Sequence, residues 1–157
     1  MPLIEVSQQQ LYTILVSLLS SADNTDIIRY LIECIDLPQF PKLYLLLGDY
    51  FNRINDFESM LKYYNLGITN IGKSSTKHRI LVKLATHYLL QSKDINNPDY
   101  LNVIKQVTNK KFYYELAKKI ILQLPDIAID MCNKYPSNDR MDLCRKICVI
   151  FSKWSYI

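Results

Sequence analysis

Residues 43–67 read LYLLLGDYFNRINDFESMLKYYNLG, and the reading of this stretch decides the fold. Tyr44, Leu47, Gly48 and Phe51 recur at helical spacing, and so do Phe57, Met60, Leu61 and Tyr64. Steps of three and four residues put each set on one face of a helix. Between the sets, Asn55 is followed three residues on by Glu58, the form of a capping box with Asn in place of Ser or Thr. The stretch therefore reads as two helices and a tight joint, with Asn55 expected to cap the second. Gly48 inside a helix costs roughly 1 kcal/mol relative to Ala, so a closely crossing helix has to offset it.

The same period runs outward in both directions. Towards the N-terminus lie Leu11, Ile14, Leu15, Leu18 and Ile28, Leu31, Ile32, Ile35. Towards the C-terminus lie Leu81, Leu84, Ala85, Tyr88, then Tyr100, Val103, Ile104, Val107, then Tyr113, Leu116, Ala117, Ile120. Ala128, Met131, Cys132, Tyr135 and Cys144, Ile147, Cys148, Phe151 complete the series. The punctuation agrees. Asn24 or Thr25 can cap a helix, Pro41 can stand in a first turn, Asn97-Pro98 reads as cap plus first turn, and Pro125 and Ser137 or Asn138 mark further starts. No segment alternates with period two for long, and no Asn-Gly or Asp-Gly hairpin turn occurs. The chain is expected to be all-α, with roughly nine helices of about 10–16 residues.

The first core positions of alternate helices fall at residues 11, 44, 81, 113 and 144. A helix-pair unit of roughly 34 residues is the mark of a tetratricopeptide-type array. The stretch from Leu43 resembles that family, with Tyr44 at its Trp position, then Leu47-Gly48 and Phe51. Met60 stands where Ala is usual, Tyr64 where Phe or Tyr is usual, and Gly67 at the second small position. The KYYNLG segment, residues 62–67, is similar to the Sel1-like variant. Ala85 and Ala117 repeat the small position of Gly48. The resemblance implies one right-handed α-solenoid of antiparallel helix pairs over residues 1–157. Its approximate units are 8–37, 41–71, 76–109 and 111–135, with a capping helix at 138–155.

In that family the first helix of each pair lines a concave groove. The groove-facing positions carry over to Lys42, Leu45, Asp49, Asn52 and Arg53 in one unit. The next unit offers Arg79, Val82, Thr86, Leu89 and Leu90, and the one after it Lys111, Tyr114, Lys118, Ile121 and Leu122. The resemblance implies a non-enzymatic scaffold that holds an acidic or amphipathic segment of another protein. Leu45 and Asp49 occupy two places where chaperone-binding members need Lys and Asn to clamp a carboxylate, which argues against that ligand.

One motif offers a rival. Residues 67–75 read GITNIGKSS, so Gly67, Gly72, Lys73 and Ser74 spell the pattern of a phosphate-cradling loop. Such a loop follows a buried parallel strand, yet residues 57–66 have helical period and lack Val and Ile. The alternative explains each letter: Gly67 as a small crossing residue, Gly72 as a left-handed helix cap, Ser74, Ser75 or Thr76 as the next start.

Bulk properties exclude other classes. Of 157 residues, 49% are hydrophobic and 22% charged, the balance of a globular chain. A net charge of +4, from 19 basic and 15 acidic side chains, is mild, and the densest basic run, Lys110-Lys111 then Lys118-Lys119, reads as a solvated helix flank, with contact to phosphate or an acidic partner as the lesser alternative. No apolar run is long enough to span a bilayer, and the first residues lack a signal-peptide pattern, so an intracellular protein is expected. Cys132, Cys144 and Cys148 match no zinc-finger spacing, and His78 and His87 lie elsewhere. No metal and no cofactor are expected. Trp154 is expected to pack on the last helices, and self-association through apolar ends is a further option.

Overall fold

The computed structural model describes residues 6–109 and 111–134. Eight α-helices follow in order: α1 Gln8–Leu18, α2 Thr25–Cys34, α3 Lys42–Arg53, α4 Phe57–Asn70, α5 Ser75–Ser92, α6 Pro98–Ile104, α7 Lys111–Ile120 and α8 Pro125–Lys134. Single 3-10 turns at Ala22–Asn24 and Leu37–Gln39 flank α2. No strand occurs among the described residues, which are all-α. The expected helix at 138–155, with Cys144, Cys148 and Trp154, lies outside them.

The helices begin where side chains can satisfy free N–H groups. Ser7 and Gln10 form a reciprocal capping box on α1, at 3.1 and 2.9 Å. Asn97 accepts from the N–H of Tyr100 at 3.0 Å, with Pro98 in the first turn of α6. Asn24 precedes α2 without a side-chain bond; Ser21 caps the short turn before it instead. Pro41 stands at the cap position of α3, and Pro125 opens α8.

The joint between α3 and α4 departs from expectation. Asn55 does not cap α4. It has a φ of 63°, in the left-handed region, and ends α3. Its N–H donates to the carbonyl of Asn52 at 3.1 Å, while the N–H of Asp56 donates to Phe51 at 2.9 Å. This pair of bonds is the Schellman pattern. The cap of α4 is Asp56, whose Oδ1 accepts from the N–H of Ser59 at 3.2 Å and whose Oδ2 accepts from its hydroxyl at 2.8 Å. The Ser59 hydroxyl, the Ser59 N–H and the Arg29 guanidinium, in that order, hold the Asp56 carboxyl below its usual pKa.

The chain divides into two compact units, Met1–Ile80 and Leu81–Ile157. In the first, α3 packs along α4, and Tyr44, Leu47, Gly48 and Phe51 are all buried. Met60, Tyr64 and Gly67 face them, also buried. A Cβ on Gly48 would fall on the ring of Tyr64, and one on Gly67 would lie 2.8 Å from Ile80 Cδ1 and 2.9 Å from Tyr44 Cβ. The two glycines thus let α4 approach the helices on either side of it. Phe57, expected in the core, is 40% exposed at the start of α4. Cross-ties hold α2 to α3: the Thr25 and Tyr50 hydroxyls lie 2.7 Å apart, and Arg29 pairs with Asp56 and sits 4.9 Å over the Phe51 ring.

Gly72 does not end α4 in a left-handed cap. The helix stops at Asn70, the C-cap is Ile71 in extended conformation, and no glycine has positive φ. Ser74 starts α5, its hydroxyl accepting from the N–H of Lys77 at 3.3 Å.

In the second unit α7 packs on α8. Its core includes Leu84, Ala85, Leu89, Tyr100, Val103, Phe112, Leu116, Ala117, Ile120, Ala128 and Met131. Phe112, and not the expected Tyr113, is the aromatic that α7 buries. His87, partly buried on α5, has its imidazole pKa lowered by that burial.

Candidate functional site

An open cleft of about 470 Å³ lies in the first unit, lined by Val16, Leu19, Ser20, Leu46, Asp49 and Arg53. The last turn of α1 and the residues that follow form one wall. The opposite wall is one face of α3, on which Leu46, Asp49 and Arg53 are spaced by three and four residues. Exposed Lys42 lies one further turn back on that same face.

The polar groups of the cleft are tied down. The Arg53 guanidinium donates to the carbonyl of Leu19, the residue that caps the C-terminus of α1, and sits 5.8 Å from the Tyr50 ring centroid. A cation at that helix end also suits its dipole. Asp49 accepts from the hydroxyl of buried Tyr64. Burial first, then that hydrogen bond, push the Tyr64 phenol far above its ordinary pKa, so it remains a donor at all moderate pH. The carboxylate is therefore positioned from beneath by the same ring that packs on Gly48. The cleft presents aliphatic side chains with one anion and one cation, each held in place on a helix.

Two sequence-predicted positions, Asp49 and Arg53, meet here. Leu45 does not; it is 2% exposed and belongs to the core, while Leu46 takes the place expected for it. The helical spacing 42, 46, 49, 53 carries the signal for Leu46, and an alignment slipped by one residue conceals it. Val16, Leu19 and Ser20 had no signal of their own, since only folding brings α1 beside α3. Asn52 and Arg79 are exposed in the same unit but do not line the cleft.

In the second unit Val82, Leu89 and Ile121 are buried, so these three are core residues and not a binding surface. Thr86 is half-buried, with its hydroxyl donating to the Val82 carbonyl at 2.7 Å. Leu90 is half-buried and Leu122 half-exposed. Exposed Lys118 holds its ammonium 4.3 Å over the Tyr114 ring, and Lys111 is exposed one helical face-repeat before it.

The stretch at residues 67–75 is a joint between two helices, because Gly67 to Asn70 form the last turn of α4. Lys73 is exposed there. Among the described residues, no three His, Cys, Asp or Glu side chains gather as a metal site, and Cys34 is an exposed free thiol. No helix among them is long and apolar enough to cross a membrane. Comparison with family models, with curated proteins and with solved structures yields no match to this chain.

Proposed function

We propose that the chain is a non-enzymatic interaction scaffold of tetratricopeptide or Sel1-like type. On this reading helix pairs stack into a right-handed solenoid, and the first helices of successive pairs hold a segment of another protein. The observation that carries the proposal is the cleft between α1 and α3, lined by Val16, Leu19, Ser20, Leu46, Asp49 and Arg53. These are the first helices of the first two repeat units that the sequence resemblance implies. An amphipathic helix or extended segment suits such a surface. Its aliphatic side chains would cover Val16, Leu19 and Leu46, and its acidic residues would face Lys42 at the rim.

Selection of a displayed random-peptide library on the immobilised protein tests the proposal. Enriched peptides should carry aliphatic residues at helical spacing with flanking carboxylates. Leu46→Asp and Val16→Asp should each weaken them at least about tenfold with little change in Tm, because both side chains are only part-buried. Binding indifferent to both substitutions would remove the cleft from consideration.

The nucleotide-binding alternative through Gly67, Gly72, Lys73 and Ser74 separates cleanly. Titration with a fluorescent ATP analogue should give no saturable binding, and Lys73→Ala should change nothing. Tight stoichiometric binding that Lys73→Ala abolishes would replace the scaffold reading.

A further inference from the structure

The outer faces of α2 and α7 are both open to solvent and have matching charge ladders. On α2, turned away from the buried Ile28, Ile27 is 53% and Tyr30 67% exposed. Exposed Asp26 and Glu33 border them, seven residues apart. The one cation of α2, Arg29, is engaged with Asp56 and the Phe51 ring. On α7, opposite the buried Phe112, Leu116 and Ile120, Lys111 and Lys118 are exposed, also seven residues apart. Lys119 adds a third cation, and Leu122 just beyond the helix is 50% exposed. The single carboxylate of α7, Glu115, is half-buried.

We propose that the α2 face of one copy of this chain docks on the α7 face of a second copy. Both helices have 10 residues, so each is about 15 Å long. Two charges seven residues apart on a helix are separated by roughly 10.5 Å along its axis. Asp26 and Glu33 can therefore meet Lys111 and Lys118 in one register, whichever way the two helices run. Closing the ladder covers Tyr30 and Ile27, the most exposed large apolar side chains of α2, against Tyr114 and the aliphatic stems of Lys111 and Lys118. The two surfaces differ, so the contact is heterologous, and each added copy leaves one face of each kind open. Growth continues unless the rotation closes a ring. The α1–α3 cleft takes no part, but Lys111 and Lys118 also stand among the groove positions of the scaffold reading; Leu46→Asp, which should weaken peptide capture and leave self-association unchanged, keeps the two readings distinguishable.

Sedimentation velocity across a concentration series is the test. At low salt the mean mass should rise with concentration, and about 0.5 M salt should reverse it, since exposed pairs are screened. Asp26→Lys with Glu33→Lys should weaken association at least about tenfold, and so should Lys111→Glu with Lys118→Glu. Combining all four substitutions swaps the ladder and should restore association to within about threefold of wild type. Glu33→Lys puts a cation in the last turn of α2, and Lys111→Glu an anion in the first turn of α7. Both suit the helix dipole and offset Asp26→Lys and Lys118→Glu, which oppose it at the other ends, and far-UV circular dichroism checks that each variant keeps its helices. A strict monomer at every concentration overturns the proposal. So does association that survives either reversal, or that the four-fold swap fails to restore.

Discussion

Gly48→Ala should destabilise the protein, although the same change in an ordinary exposed helix would stabilise it by about 1 kcal/mol. The new methyl would fall on Cδ1 and Cε1 of the Tyr64 ring and lie 2.7 Å from Cζ. That ring is 1% exposed, so it has no free space to retreat into. Overpacking of this kind costs about 1–3 kcal/mol. Moving the ring also breaks its hydroxyl's bond to Asp49, a hydrogen bond to a charged group worth about 1.5–3 kcal/mol. Set against the propensity gain of about 1 kcal/mol, the net loss is about 1.5–5 kcal/mol. At about 2–4 °C per kcal/mol for a chain of this size, Tm should fall by at least about 3 °C. Urea melts followed by far-UV circular dichroism give the difference. Gly72→Ala is the control: nothing lies within 4 Å of its Cβ and its φ is not positive, so a gain of about 0.4–1 kcal/mol is expected. In a Tyr64→Ala background the obstacle is gone, and Gly48→Ala should become neutral or favourable. If Gly48→Ala stabilises the wild type as Gly72→Ala does, the close crossing of α3 and α4 is wrong. If its cost is undiminished without the Tyr64 ring, the cause assigned to it is wrong.

Two further predictions concern the joint between these helices. Asn55→Gly should hold or raise stability, whereas Asn55→Val should cost about 1–2 kcal/mol, because a β-branched residue resists the left-handed conformation; thermal melts of both variants decide it. Asp56→Ala should cost about 1–2 kcal/mol through loss of the α4 cap. Since the folded Asp56 carboxyl lies below its usual pKa of 3.8, its contribution is complete above that value and lost as pH falls through the folded pKa. Melts between pH 2 and pH 6 should therefore converge for wild type and Asp56→Ala at the acid end, and parallel curves would contradict the assignment.

The helical class was legible from spacing because apolar residues at steps of three and four can bury together only on a helix. The crossing at Gly48 was legible too, since a glycine amid strong helix formers has to be explained by close contact. The ends of helices were less so. Asn55 and Asp56 are adjacent and both types of side chain cap helices well; only the backbone dihedral separates the residue that closes α3 from the one that opens α4. Gly72 has the letter of a left-handed cap, but Ile71 before it is 8% exposed. Burying that side chain goes with an extended backbone at Ile71, one residue before the glycine. In the cleft, Asp49 and Arg53 follow from the groove positions that the family resemblance implies. Leu45 and Leu46 are chemically identical neighbours about 100° apart on the helix, so composition cannot tell core from cleft. The α1 wall depends on contacts between residues some thirty positions apart, which local patterns do not record.

The shared turn at Asn55 and Asp56 has a consequence for how this hairpin can change over time. One extra residue there would rotate α4 by about 100° about its own axis and swing Tyr64 out of the notch left by Gly48. Length changes in the hairpin are thus confined to compensated or whole-turn steps, whereas the open linker around Gly72 has no such arithmetic to obey.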